Sequence, residues 1–296
     1  MSLESFLSYL SLERNYSGHT THAYGKDIQA FASFCSLEYG ISDIATVEYN
    51  LIRQWIVTLV NTGISNRSIN RKVASLKAYY KFLLQIGELD RNPLAKHKAL
   101  KTSKKIEIPF SENEMEKMLQ QIPFEDNFEG HRDKLIIELL YATGIRRSEL
   151  INLKEGDIDF LQRTIKVLGK RNKERILPLL PSTIFLLEKY IAERKCLGVT
   201  RDQEYLFLSK SGNKVYETLV YRIINHYFSL VSSKVKKSPH ILRHTFATHM
   251  LNKGADLNSV KELLGHSSLA STQVYTHNSI AKLKEVHLKA HPRNKK

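Results

Sequence analysis

Ile69, Val73, Leu76, Tyr80 and Leu83 recur at alternating steps of four and three, a spacing that lines them up on one stripe only if the chain is helical there. Such a stripe must be buried against other elements, while Arg67, Arg71, Lys72, Lys77 and Lys81 point in other directions and stay cationic. Helical periodicity runs from Leu3 to Gly87 and breaks at Ser17-Gly18, Gly40, Asn61-Thr62-Gly63 and Gly87. Glycine accepts the left-handed backbone on which helices end, so these breaks predict about four helices forming a first domain over residues 1–88.

After Gly87 the pattern changes. Residues 89–105 hold Pro93 and the basic run Lys96, Lys98, Lys101, Lys104 and Lys105 with few large apolar side chains, which predicts an interdomain linker. From Arg67 to Lys105 eleven Lys and Arg face two acids, Glu88 and Asp90, a local charge of +9. Charge concentrated this way reads as a strip that tracks phosphates rather than as an ordinary solvated surface, with Arg67, Arg71, Lys72, Lys77, Lys101, Lys104 and Lys105 as candidate DNA contacts. The full chain of 296 residues carries a formal +15, which points to a polyanionic partner, nucleic acid first.

Hydrophobic residues make up 42% and charged residues 25%, a composition that fills ordinary globular cores and excludes a disordered chain. Cys35 and Cys196 are too few and too far apart for a metal-ligand spacing, and they suit a reducing compartment. The first residues lack the order of a signal peptide, and no apolar run approaches the roughly 20 residues of a membrane helix. The expectation is a cytoplasmic protein with no membrane partner and no lipid anchor.

Residues 106–296 mix element types. Ser111 with Glu114 predicts a capping box opening a helix, and Leu135 to Ala142 is apolar enough for a buried one. Thr164 to Leu168 and Arg175 to Leu179 read as two strands around the polar turn from Gly169 to Glu174, and Tyr205 to Leu208 is a candidate third strand. Helices punctuated by Pro239, Gly254 and Gly265 follow. The fold class is mainly α: a helical basic domain joined to a mainly helical one that carries a small antiparallel sheet.

Pro239 marks a helix start, and steps of three and four then bring His240, Arg243 and His244 to one face. Polar groups on an otherwise buried helix need partners, and an anionic substrate supplies them. Leu257, Val260, Leu263 and Leu264 form a short amphipathic helix ending at Gly265; His266 follows at once and Tyr275 nine residues later. Arg146 adds a cation after the apolar helix, in Thr143-Gly144-Ile145-Arg146-Arg147-Ser148-Glu149-Leu150. Each of these residues alone is ordinarily a packed side chain or a surface ion pair. It is the set that carries information.

That set resembles the active-site blocks of the phage-integrase family of tyrosine recombinases, nearest the bacterial Xer proteins. The matching blocks are Thr143-Gly144-Ile145-Arg146 with Ser148-Glu149-Leu150, Gly169-Lys170 with Asn172-Lys173-Glu174-Arg175, His240-Ile241-Leu242-Arg243-His244, Leu264-Gly265-His266 and Thr272-Gln273-Val274-Tyr275-Thr276-His277. They stand in the family's order and spacing, and Ala290-His291-Pro292-Arg293 is Xer-like as well.

The resemblance implies a four-helix, SAM-like core-binding domain that clamps DNA (1–88), a basic linker (89–105), and a catalytic domain with a C-terminal exchange helix (106–296). It implies Tyr275 as nucleophile, Arg146 and Arg243 on the non-bridging oxygens of the scissile phosphate, Lys170 as the acid for the leaving 5′ oxygen, and His240 and His266 as proton-transfer and hydrogen-bonding partners. It further implies a double-stranded recombination site, a homo- or hetero-tetramer with a second recombinase, a DNA translocase as activator, association with the nucleoid, and no cofactor.

Arg147 stands where the family has an apolar residue, so Arg146 is assigned by the Thr-Gly-Ile-Arg register. Arg171 replaces a common turn glycine, which leaves Lys173 as a second candidate for the acid.

The chemistry is coherent in its own terms. A phosphodiester repels nucleophiles, and charge accumulates on its equatorial oxygens in the transition state, where two guanidiniums stabilise it preferentially. Holding a tyrosine with pKa about 10 ionised at neutral pH costs about 4 kcal/mol unless cations or a base offset it. An alkoxide leaving group needs a proton donor, which a lysine on a strand turn supplies. The bond energy is conserved in phosphotyrosine, so no ATP is needed. No Gly-rich phosphate loop or His-Glu-x-x-His pattern occurs, and Arg243 between His240, His244 and His249 opposes a metal.

Two other readings exist. Leu257 to Leu264 with the Tyr275 segment fits a helix-turn-helix in a non-catalytic DNA-binding protein, and a type IB topoisomerase shares the chemistry without strand exchange. Within the recombinase reading, the role is either Xer-type dimer resolution or integration of a mobile element.

Overall fold

The computed structural model describes residues 3–103, 107–169, 173–198, 201–234, 236–265 and 277–294. The chain divides into two compact units, Met1–Lys105 and Ile106–Lys296.

In the first unit, helix α1 (Leu3–Ser8) runs into a π turn (Tyr9–Glu13) and is followed by α2 (Gly18–Tyr39), α3 (Tyr49–Asn61) and α4 (Asn66–Gln85). Ser17 and Ser65 cap α2 and α4 by accepting hydrogen bonds from the backbone N–H groups of Thr20 and Ser68. The α4 stripe is buried in full: Ile69, Val73, Leu76, Tyr80 and Leu83 pack with Phe6, Ile28, Phe31, Ile52 and Trp55.

The opposite faces are less uniformly solvated than the sequence pattern predicts. Buried Asp27 of α2 accepts from Arg71, Lys72 and Ser75 of α4, the Arg71 Nη2 contact being 2.9 Å. Residues 89–103 lie along this unit. Leu94 is buried in its core, Asn70 brackets the backbone of Leu100 with bonds of 2.9 Å each way, and Asn66 donates to the Lys101 carbonyl at 2.8 Å. Lys104 and Lys105 fall outside the described residues.

The second unit is built on α6 (Phe128–Thr143), which is buried almost all round. Around it stand α5 (Glu112–Gln120), α8 (Pro181–Lys195), α9 (Glu217–Ser229) and α10 (Pro239–Asn252). The capping box predicted from Ser111 and Glu114 opens α5. Short α7 (Arg147–Leu150) follows α6, and α11 (Leu257–Leu264) follows α10. Strands β1 (Ile158–Asp159), β2 (Thr164–Leu168) and β3 (Glu174–Pro178) make an antiparallel sheet of order β1-β2-β3, with Val167 paired to Arg175.

The third strand is therefore Ile158–Asp159, and Tyr205 to Leu208 does not join the sheet. Side chains of α8 take up that segment's backbone groups. The Tyr190 hydroxyl donates to the Leu206 carbonyl and accepts from the Leu208 N–H, while Arg194 donates to the carbonyls of Gln203 and Tyr205. What remains is a pair of isolated bridges, Lys154 to Tyr205 and Leu208 to Lys214.

Helix α12 (His277–Ala290) packs on its own unit. Leu283, His287 and Ala290 are buried; His287 donates from Nε2 to the Ala142 carbonyl at 2.7 Å, and its Nδ1 is buried without a partner among the described residues. His291 reaches the Tyr141 carbonyl at 3.2 Å, and the Tyr141 hydroxyl meets His249 of α10 at 2.9 Å. Burial pushes the pKa of His287 down to about 4 and lowers those of His249 and His291. Arg293, Glu138, Glu112 and Lys253 are the charged groups around this cluster among the described residues.

Because these folded pKa values lie below the unfolded one, near 6.5, the unfolded chain binds more protons in acid. The stability is present in full above about pH 6.5 and is lost as pH falls toward the folded values. His287 alone carries about 3 kcal/mol of it. Unfolding midpoints of the full chain should fall from pH 7 to pH 5, and His287→Gln, which keeps a donor but cannot titrate, should flatten that slope. Equal slopes in both proteins would contradict the assignment.

Candidate active site

The site forms where the end of α6, the start of α7, strand β3 and the end of α11 meet. Gly144 closes α6 in the left-handed region at φ +61°, and its N–H returns to the Leu140 carbonyl at 3.1 Å. A Cβ built there would stand 2.4 Å from Phe246 Cδ1, so glycine is required by both conformation and space. This sharp exit buries Ile145 and places Arg146 at the head of α7.

Arg146 and Arg147 then separate. Arg147 pairs with Glu217 on α9, while Arg146 turns to Glu149, donating from Nη1 to Oε1 at 2.7 Å and from its backbone N–H to Oε2 at 2.9 Å. Of the two adjacent arginines, Arg146 is the one that faces the cluster.

Glu149 is shared. Arg175 on β3 grips both its oxygens, at 2.8 and 2.7 Å, and the two side chains are only 5% and 4% exposed. Burial pushes the Glu149 carboxyl up, but the hydrogen bonds and charge of Arg175, with those of Arg146, outweigh it and hold the pKa below the usual carboxylate range.

Three guanidiniums also collect the carbonyls at the end of α11. Arg175 Nε donates to Leu263 at 3.0 Å, Arg243 Nη2 to Leu264 at 2.5 Å, and Arg146 Nη2 to Gly265 at 3.0 Å. Arg243 also donates to the Gly144 carbonyl at 2.6 Å, which ties α10 to the end of α6. These carbonyls stand at the C-terminal end of α11, where the negative end of the helix dipole favours cations.

Among the described residues these three guanidiniums share one carboxylate, Glu149, which leaves an excess of two positive charges in the cluster. Burial first, then the charges of Arg146 and Arg175, pull Arg243 down to a pKa of about 10. A cation depressed by its neighbours in this way marks a site that an anion relieves.

His240 lies in the first turn of α10 and is exposed, one turn before half-buried Arg243. At the sheet turn, the Gly169 N–H donates to the Lys173 carbonyl at 2.7 Å and the Lys173 side chain is exposed. Lys170 falls inside that turn, and His266 and Tyr275 follow Gly265; all three lie outside the described residues. Among the described residues the structure therefore gathers Arg146 and Arg243, with His240 one turn before Arg243.

The candidate contacts of the first unit do not form one free strip. Arg71, although exposed, and half-buried Lys72 are paired with Asp27, while Arg67, Lys77 and Lys101 are exposed. Sequence reasoning gave no role of its own to Arg175. The signal lay in the period-two alternation of β3, which puts Arg175 on the inward face with Leu177. A charged residue on such a face calls for an acid partner. Among the described residues no group of three or more His, Cys, Asp or Glu side chains is arranged to hold a metal ion, and no helix is long and apolar enough to cross a membrane.

Comparison with known proteins bears on the whole chain. The phage integrase family matches residues 109–282, and the N-terminal SAM-like domain of phage integrases matches residues 3–87. The chain is 40% identical to a tyrosine recombinase XerC of Oceanobacillus iheyensis, covering 98% of this chain and 96% of that protein. It is 39% identical to a XerC of Chlorobaculum parvum, covering 98% and 94%.

Among solved structures, the XerH site-specific recombinase bound to its palindromic difH substrate after cleavage aligns with a TM-score of 0.72 at 22% identity, covering 97% of this chain and 84% of that one. The Tn1549 transposon integrase with circular intermediate DNA aligns at 0.69 and 22%, covering 95% and 98%.

Proposed function

The chain belongs to the phage integrase family and is a tyrosine recombinase, and from that premise we propose that it resolves chromosomal or plasmid dimers by Xer-type site-specific recombination. Strands are cut and rejoined through a tyrosine. In the reading put forward here the Tyr275 phenolate attacks the scissile phosphorus, the bond to the 5′ oxygen breaks, and the phosphate stays on the enzyme as a 3′-phosphotyrosine. Lys170 delivers a proton to the leaving 5′ oxygen. Arg146 and Arg243 hold the non-bridging oxygens, with His240 and His266 assisting by hydrogen bonding and proton transfer. A 5′ hydroxyl of the partner strand reverses the step, so neither ATP nor a metal enters.

One observation carries this reading: Arg146 and Arg243 are fixed on consecutive carbonyls, Gly265 and Leu264, in a cluster with two positive charges to spare. The next residues in sequence are those that hold His266 and Tyr275.

Exchange between two duplexes requires four protomers, all of this chain or shared with a second recombinase. A DNA translocase as activator and a place on the nucleoid in the cytoplasm belong to the same proposal. The test is to trap covalent complexes on genomic DNA in denaturant and sequence the attached ends. Xer-type action predicts one dominant chromosomal or plasmid site with two inverted half-sites. Ends that map to the borders of a mobile element would replace the proposal with integration, and DNA bound without any covalent ends would replace it with a non-catalytic role.

A further inference from the structure

Building on that reading of the site, we propose that Arg175 is a positioning residue of the reaction, which neutralises Glu149 so that the charge of Arg146 stays available to the scissile phosphate. The geometry behind this is a division of labour on one carboxylate. Arg175 forks onto both oxygens of Glu149 from a side chain that is 5% exposed, whereas Arg146 is a third exposed and its side chain touches only one of them. Without Arg175, the buried carboxylate would have Arg146 as its remaining close counter-ion and would draw it into a full ion pair. The local excess would drop from two positive charges to one.

Arg175 also fixes the frame. Its Nε holds the Leu263 carbonyl, and its guanidinium lies against Gly265, where a built Cβ would come within 3.2 Å of Arg175 Cδ and 3.3 Å of Nε and Nη1. A Cβ at Gly169, at the entrance to the β2–β3 turn, would be 3.6 Å from both Arg175 Nη1 and Glu149 Oε1. One buried side chain thus links α7, the end of α11 and the turn that carries Lys170. A mere staple would lower stability and nothing more; a positioning residue changes the rate at fixed affinity.

The experiment uses the full chain and a nicked duplex built on the sequence recovered from trapped complexes, with Tyr275→Phe as the blank. Wild type, Arg175→Lys, Arg175→Met and the double variant Arg175→Met with Glu149→Gln are compared by thermal unfolding, by DNA affinity, and by single-turnover cleavage at saturating protein. Arg175→Met should cleave about 10- to 100-fold more slowly with its affinity for the duplex little changed. The double variant, which removes the carboxylate charge along with its counter-ion, should recover most of that loss. Arg175→Lys, which keeps the charge but loses the fork, should fall between them and serves as the test if Arg175→Met does not fold.

Cleavage at the wild-type rate in a folded Arg175 variant would overturn the proposal, as would a double variant no faster than the single. If the wild type itself bound the duplex and formed no adduct, the recombinase reading would fail first and this inference with it.

Discussion

Replacing Arg243 by lysine is expected to slow cleavage of nicked site DNA by about 10²- to 10³-fold while leaving the affinity for that DNA nearly unchanged. The argument is geometric. Arg243 spends Nη1 on the Gly144 carbonyl and Nη2 on that of Leu264, so its plane is fixed by two separate elements and its charge sits where an anion would relieve it. A lysine keeps the charge but offers a point in place of a fork, and it cannot hold both carbonyls and an equatorial oxygen in one plane. Binding energy drawn from many phosphates along the duplex hardly registers one of them, whereas the transition state depends on this one. The check is a single-turnover rate beside a binding isotherm at matched salt. A variant that loses affinity and rate in equal proportion would mean that Arg243 is a general phosphate contact.

Gly144→Ala should destabilise the second unit strongly, through conformation and space together. The left-handed conformation at φ +61° costs an alanine about 1–2 kcal/mol. The added Cβ would meet Phe246 at 2.4 and 2.9 Å and Leu264 at 3.0 Å, and displacing that packing costs about 1–3 kcal/mol more. Gly254 supplies the control: at φ +86° it has the same backbone demand with nothing within 4 Å of a built Cβ, so Gly254→Ala should show only the first cost. Urea unfolding of the two variants reads the difference. Since Phe246 and Leu264 flank the carbonyls that Arg243 holds, Gly144→Ala should also slow cleavage under conditions in which it remains folded. Equal destabilisation by the two substitutions would show that the Phe246 contact is readily relieved.

Much of this was legible in the sequence because it depends on local rules. Helix starts and stops at Ser111, Pro239, Gly144, Gly254 and Gly265 are set by capping and by positive φ, which act within a few residues. The α4 stripe and the β2–β3 pairing follow from periods of 3.6 and two. What escaped reading depends on partners distant in sequence. Tyr205 to Leu208 has a strand's composition, yet Tyr190 and Arg194 satisfy its backbone. Arg71 and Lys72 look like free cations until Asp27, 44 and 45 residues away, is placed beside them. Arg175 was quoted as part of a motif, but its service to Glu149, Leu263 and Gly265 requires three elements to be assembled first.

The central claim is that one chain brings the guanidiniums of Arg146 and Arg243 to a phosphate attacked by a single phenol. Trypsin cuts after Lys261 and Lys282 and releases Glu262 to Lys282, a peptide in which Tyr275 is the one tyrosine. Mass spectrometry of the digested, nuclease-trimmed covalent complex is predicted to place the nucleotide on that peptide, at Tyr275. A nucleotide on a peptide bearing any other tyrosine, or on none, would contradict the account.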